Sequence, residues 1–110
     1  MIVAVSGAGG RMGRLVVETV AGTPDLDLGP LYDPREAGAT VGGAAIGDDP
    51  ASLEGAEVVV EFTEPDVVME NLATWRGLGL HAVVGTSGFD AERLGRLRDQ
   101  WGDGPPNCLV

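Results

Sequence analysis

Three glycines at three-residue spacing, Gly7, Gly10 and Gly13, separate a run of branched apolar residues from a helical pattern in MIVAVSGAGGRMGR. The chemistry such a stretch suits is the holding of a phosphate. Gly7 permits a tight turn out of a strand, Gly10 lets backbone approach a pyrophosphate, and Gly13 allows a helix to pack closely on a sheet. The stricter G-x-G-x-x-G reading through Gly7 and Gly9 fails, because Met12 stands where its third glycine would be. Asp33 lies twenty residues past Gly13, the distance at which a dinucleotide fold places the carboxylate that receives the adenosine ribose. Asp33-Pro34 is also a common turn opener, and the glycine loop is what tips the reading towards the ribose. Arg35, with Arg11, is placed to meet a 2′-phosphate and is equally well explained as a solvated side chain. The single histidine, His81, precedes an apolar strand, where a structural role is the expectation, and there is no lysine to serve as a proton donor.

The elements that position these residues alternate between strand and helix. Ile2 to Val5 predicts a buried strand, and Met12, Leu15, Val16, Thr19 and Val20 predict the inward face of the first helix, stopped by Gly22 and Pro24. Leu26 to Asp33 predicts a second strand, interrupted by Gly29 and Pro30. Glu36 to Gly55 has no sustained period and reads as a loop, long for a compact domain, that carries short unseen strands or lies across a ligand. Glu57 to Phe62 predicts a third strand, with Thr63 as the cap of a helix whose stripe is Val68, Leu72 and Trp75. Ala82 to Val84 predicts a fourth strand and Gly85 to Phe89 the loop leaving it. Asp90 caps a further helix with Ala91, Leu94, Leu97 and Trp101 inward, and Asn107 to Val110 begins a fifth strand. This alternation, with no hairpin signal recognised, predicts an α/β fold: a Rossmann-like doubly wound parallel sheet with helices on both faces, in one domain over residues 1–110.

Composition narrows the partners. Seventeen acidic residues against seven arginines give a net charge of −10, which argues against nucleic acid and against an anionic membrane. No apolar run approaches the roughly 20 residues of a membrane span, and no secretory signal peptide is expected. One cysteine, Cys108, fits a reducing cytoplasm and predicts a small apolar residue packed in a strand. No metal site is expected.

At GAGGRMGR, VVEFTEPDVVMENL and HAVVGTSGF the sequence resembles the amino-terminal part of the dihydrodipicolinate reductases, the enzymes of lysine and diaminopimelate synthesis. The resemblance implies an oxidoreductase using NADH or NADPH, assembled as a homotetramer, that acts on a cyclic dicarboxylate derived from aspartate semialdehyde and pyruvate. It implies that Gly7, Ala8, Gly9, Gly10, Arg11 and Met12 hold the pyrophosphate and that Asp33 holds the adenosine ribose. Phe62 and Thr63 then pass near the nicotinamide, and Gly85, Thr86 and Ser87 contact its ribose or ring; Ser87 stands where the family often has Thr. It further implies a second domain bearing paired histidines and a catalytic lysine, absent from residues 1–110, so no catalytic residue is assigned here and these residues alone are expected to be inactive. Two other readings stay open at this point: a free-standing NAD(P)-binding sensor or interaction module without catalysis, and another reductase with the same amino-terminal fold.

Overall fold

The computed structural model describes residues 1–85, 90–103 and 105–110. The strands are β1 (Ile2–Ser6), β2 (Asp27–Tyr32), β3 (Thr40–Val41), β4 (Ala44–Gly47), β5 (Val58–Glu61), β6 (His81–Val84) and β7 (Cys108–Leu109). The helices are α1 (Arg11–Ala21), α2 (Val68–Gly77) and α3 (Ala91–Trp101), with one 3-10 turn at Pro50–Leu53. They form a seven-stranded sheet in the order β3-β4-β2-β1-β5-β6-β7. Every pairing is parallel except β3 with β4. The doubly wound α/β expectation therefore holds, with an antiparallel edge hairpin added to it.

That hairpin lies in the stretch read as a loop. Val41 and Ala44 face one another across Gly42 and Gly43, which have φ of +60° and +83°. A two-residue connection between antiparallel strands takes positive φ at its centre so that its twist matches the strands, and Gly-Gly meets that demand without strain. The signal was in the sequence, hidden because each flanking strand is only two to four residues long.

The core has two parts, one on each face of the sheet. On one face Ala4, Val59, Ala82 and Val84 pack with Val68, Leu72 and Trp75 of α2 and with Leu97 and Trp101 of α3. On the other, Val5, Leu31 and Ile46 pack with Val17 of α1. The inward face of α1 is only partly the one expected: Val20 is buried and Val16 packs half-buried on the core as expected, and Gly13 and Val17 are buried with them, whereas Met12 and Leu15 are more than half exposed and Thr19 is exposed. The reason is Gly13 itself. A Cβ there would fall 1.9 Å from the Gly7 carbonyl oxygen, so the helix rests on the loop through its barest residue and the buried stripe follows at i+4 and i+7. The α2 stripe is as expected, and Asp90 caps α3 by accepting the Arg93 N–H at 2.8 Å. Leu94 and Ala91 are largely exposed, leaving Leu97 and Trp101 as the buried contacts of α3.

Gly29 and Pro30 sit at an irregularity of β2. Val3 pairs with Leu28 and Val5 with Leu31, so β2 has one residue more than β1 between those partners. A Cβ at Gly29 would fall 2.9 Å from Ile2 Cγ2 and 3.2 Å from the Val3 carbonyl oxygen, and Pro30 has no N–H to offer the ladder. A bulge accommodates both residues inside the sheet and restores the inward direction of Leu31.

Candidate functional site

From β1 the chain crosses one face through α1 to β2, and from β5 it crosses the other face through α2 to β6. Neighbouring strands whose connections diverge leave a crevice beyond their carboxyl ends, where ligands of such sheets bind. Here the crevice is a cleft of about 470 Å³, and its walls include Gly7, Gly9, Gly10, Asp33, Arg35, Phe62 and Thr63.

The floor of the cleft is the glycine loop. Gly7 has φ +81°, and its Cβ would fall 2.5 Å from the Phe62 carbonyl oxygen, so only glycine fits between β1 and β5. The Gly7 and Ala8 N–H groups both donate to the Tyr32 carbonyl oxygen, at 2.8 and 3.3 Å, tying the loop to the end of β2. Gly10 is different: a Cβ there would meet only the Gly7 carbonyl oxygen, at an ordinary 3.5 Å. Protein contacts do not explain its lack of a side chain, and the bare backbone there faces the cleft. Gly10 also stands at the N-cap of α1, with no side-chain cap and no acid in the first turn. The positive end of that helix is thus left to an anion.

Asp33 borders the loop immediately after β2. Its Oδ2 accepts the Gly9 N–H at 3.0 Å and its Oδ1 accepts the Arg35 N–H at 3.1 Å. Each oxygen retains a lone pair for a further donor. Glu36 lies against Gly9, where a Cβ would come within 2.2 Å of Glu36 Cγ. Arg35 forms a bidentate ion pair with Glu64, its second terminal nitrogen donating at 2.9 Å.

The far wall comes from the end of β5, where Glu61 is fully buried. Its Oε1 accepts the Trp75 Nε1–H at 2.6 Å and its Oε2 accepts from Asn71 Nδ2 at 3.0 Å and from the Thr63 hydroxyl. A carboxylate out of water needs donors on both oxygens, and α2 supplies two of them. Thr63 is therefore not the cap of α2. The helix starts at Val68 after a turn closed by the Val67 and Val68 N–H groups on the Glu64 carbonyl oxygen, and the Thr63 hydroxyl is spent on Glu61. Glu61 was not singled out in the sequence, where it reads as one polar residue in an apolar strand. Tyr32, packed edge-on to Trp75 with centroids 5.6 Å apart, has its phenol pushed above its ordinary value by burial first and by the Glu61 charge second.

The residues expected at the site divide accordingly. Gly7, Gly9, Gly10, Asp33, Arg35, Phe62 and Thr63 come together around the cleft. Ala8 is buried in the core and contributes backbone only. Arg11 and Met12 begin α1 with exposed side chains outside the cleft lining, and Arg14 turns back to donate to the Gly9 carbonyl oxygen at 2.8 Å. Gly85 touches the site through Phe62, since a Cβ there would fall 2.1 Å from the Phe62 ring. Thr86 and Ser87 lie outside the described residues. His81 is at the other end of β6, where its Nδ1 accepts the Asn107 N–H at 2.8 Å. Cys108 is half-buried in β7, and burial raises its thiol pKa. Among the described residues there is no cluster of metal-ligating side chains, and no helix is long and apolar enough to cross a membrane.

A glycine loop under an uncapped helix, an acid at the end of the second strand and a cleft between diverging strands define a Rossmann-like domain of the pyridine-nucleotide type. Comparison with known proteins gives the particular family. The chain belongs to the family described as dihydrodipicolinate reductase, N-terminus, whose model matches residues 1–103. It is similar to a 4-hydroxy-tetrahydrodipicolinate reductase of Cutibacterium acnes, 42% identical over 109 residues, covering 98% of this chain and 39% of the relative. The chain spans about two fifths of the length of the curated relatives it matches. Among solved structures, a dipicolinate-bound dihydrodipicolinate reductase from Paenisporosarcina sp. TG-14 superposes with a TM-score of 0.72 at 23% identity, covering 91% of this chain and 42% of that one. A myo-inositol dehydrogenase from Corynebacterium glutamicum gives 0.75 at 22% identity, over 94% and 33% of the two chains. At those identities the likeness speaks for the fold.

Proposed function

We propose that this chain forms the cofactor-binding part of an NAD(P)H-dependent reductase acting on 4-hydroxy-tetrahydrodipicolinate, in the synthesis of diaminopimelate and lysine. The observation that carries the reading is the meeting of Gly7, Gly10, Asp33 and Thr63, far apart in the chain, around one cleft at the diverging strand ends. The family and the curated relatives support the chemistry. The nicotinamide, when bound, supplies a hydride from its C4 to the conjugated C=N system of the substrate. The residues here bind and orient it. The α1 amino terminus and the loop N–H groups receive the pyrophosphate, Asp33 receives the adenosine ribose, Phe62 and Thr63 flank the nicotinamide end, and Gly85, Thr86 and Ser87 are assigned to the nicotinamide ribose or ring. The proton donor and the carboxylate-binding groups belong to a second domain outside residues 1–110, and the whole protein works as a homotetramer in the cytoplasm.

The test is a titration of the full chain with NADH, read by energy transfer from tryptophan to the nicotinamide, alongside NADH oxidation with the substrate generated from aspartate semialdehyde and pyruvate. Saturable binding that weakens about tenfold or more in Asp33→Ala is expected, because charge-assisted bonds of this kind contribute roughly 1.5–3 kcal/mol each. Absence of saturable binding to either nicotinamide nucleotide would refute the proposal.

A further inference from the structure

NADPH differs from NADH by a phosphate on the 2′ oxygen of the adenosine ribose, which brings close to two further negative charges. With Asp33 holding that ribose, the 2′ position falls beside the residues that follow it, Pro34, Arg35 and Glu36. All three line the cleft. Among the described residues, the lining carries the carboxylates of Asp33, Glu36, Glu64 and Glu70 and one cation, Arg35.

That cation is already engaged. Both terminal nitrogens of the guanidinium are on the two oxygens of Glu64, the same planar fork that a phosphate would use. Glu64 reaches Arg35 from the loop after β5, so the ion pair bridges the two sides of the cleft. Glu36 cannot take over the role of counter-charge, being itself an acid lying against Gly9.

Resting on the cofactor reading above, we propose that Glu64 sets the nucleotide preference: it holds Arg35 in a bidentate pair and withholds it from a 2′-phosphate, so the site takes NADH over NADPH. The Arg35 and Glu64 side chains are 74% and 53% exposed, so the pair itself adds little to stability. What it changes is the charge met by the ligand. A 2′-phosphate must displace Glu64 and then sit among carboxylates, whereas a 2′-hydroxyl needs only the spare lone pairs of Asp33.

The experiment measures dissociation constants of the full chain for NADH and for NADPH at low ionic strength, in the parent, in Glu64→Gln and in Glu64→Gln with Arg35→Ala. The parent is expected to favour NADH. Glu64→Gln moves the ratio of the two constants towards NADPH by about fivefold, less at high salt, as expected for a solvent-exposed guanidinium released to a phosphate. Adding Arg35→Ala abolishes the shift. A parent that prefers NADPH, or a ratio unmoved by Glu64→Gln while both nucleotides bind, overturns the inference and leaves the cofactor reading intact. Failure of both nucleotides to bind overturns the two together.

Discussion

Replacing Trp75 with phenylalanine removes the indole N–H that reaches Glu61 Oε1 at 2.6 Å, in a place neither residue shares with solvent. The loss of a buried bond to a charged acceptor costs roughly 1.5–3 kcal/mol, and the space left by the smaller ring adds about 1 kcal/mol. Part of the edge-on contact with Tyr32 is kept by the phenyl ring. The expected destabilisation is therefore about 3 kcal/mol, obtained from urea unfolding of the full chain by linear extrapolation. Size alone does not prove the bond, because any truncation of a core tryptophan is costly. The decisive quantity is the coupling in a double-mutant cycle with Glu61→Gln, which keeps the shape at position 61 and removes the charge. We expect Trp75→Phe to cost about 1–2 kcal/mol less when Glu61 is already glutamine, since the neutral amide loses a weaker bond. A coupling below about 0.5 kcal/mol, within the scatter of independent sites, would falsify the claim that Trp75 holds the buried carboxylate.

Two loop glycines give opposite expectations. Gly13→Ala forces a methyl into the Gly7 carbonyl and costs roughly 3 kcal/mol, seen as a lower denaturation midpoint. Gly10→Ala meets nothing closer than 3.5 Å and changes stability by less than about 1 kcal/mol, yet on the proposed cofactor reading it weakens NADH binding, since its methyl would crowd the pyrophosphate; unchanged affinity would remove Gly10 from the cradle. Alkali supplies a further test through Tyr32. Its phenol is pushed above 10.0 in the folded chain, so the fold keeps a proton the unfolded chain releases, and stability present below that value is lost as the pH climbs through the folded pKa. Cys108, raised from 9.0, acts in the same direction. In a Cys108→Ala background, Tyr32→Phe should flatten the alkaline fall in melting temperature, and an unaltered slope would exclude Tyr32 as its source.

The legible parts of this protein are those whose residue types answer to local demands. Ile2 to Val5 and Val58 to Val60 read as strands because branched apolar runs suit a sheet covered on both faces. The Val68, Leu72 and Trp75 stripe read as a helix face by its period, and Asp90 as a cap by its position. Asp33 was recognisable by its distance from the glycine loop, a spacing the intervening helix and strand impose. The Gly42–Gly43 hairpin is legible only through its turn residues, because its strands are too short to show a period.

Other features exist only once the chain is closed on itself. The α1 face depends on the Gly7 carbonyl, a contact across a turn that periodicity does not register, so the apolar Met12 and Leu15 were read inward and lie outward. Thr63 had a cap-like position, but a buried Glu61 two residues earlier competes for its hydroxyl, and a carboxylate without water outbids a helix end that solvent can satisfy. Neither Glu61 with Trp75 nor Arg35 with Glu64 shares a local pattern; the first pair is brought together by α2 packing back on the sheet and the second by strand order. The sequence alone determined that a glycine loop precedes a helix and that an acid follows twenty residues beyond Gly13. The tertiary structure alone decided which carboxylates surround that acid and which one holds the arginine, because charge acts through space and the chain order of these residues does not encode their separation.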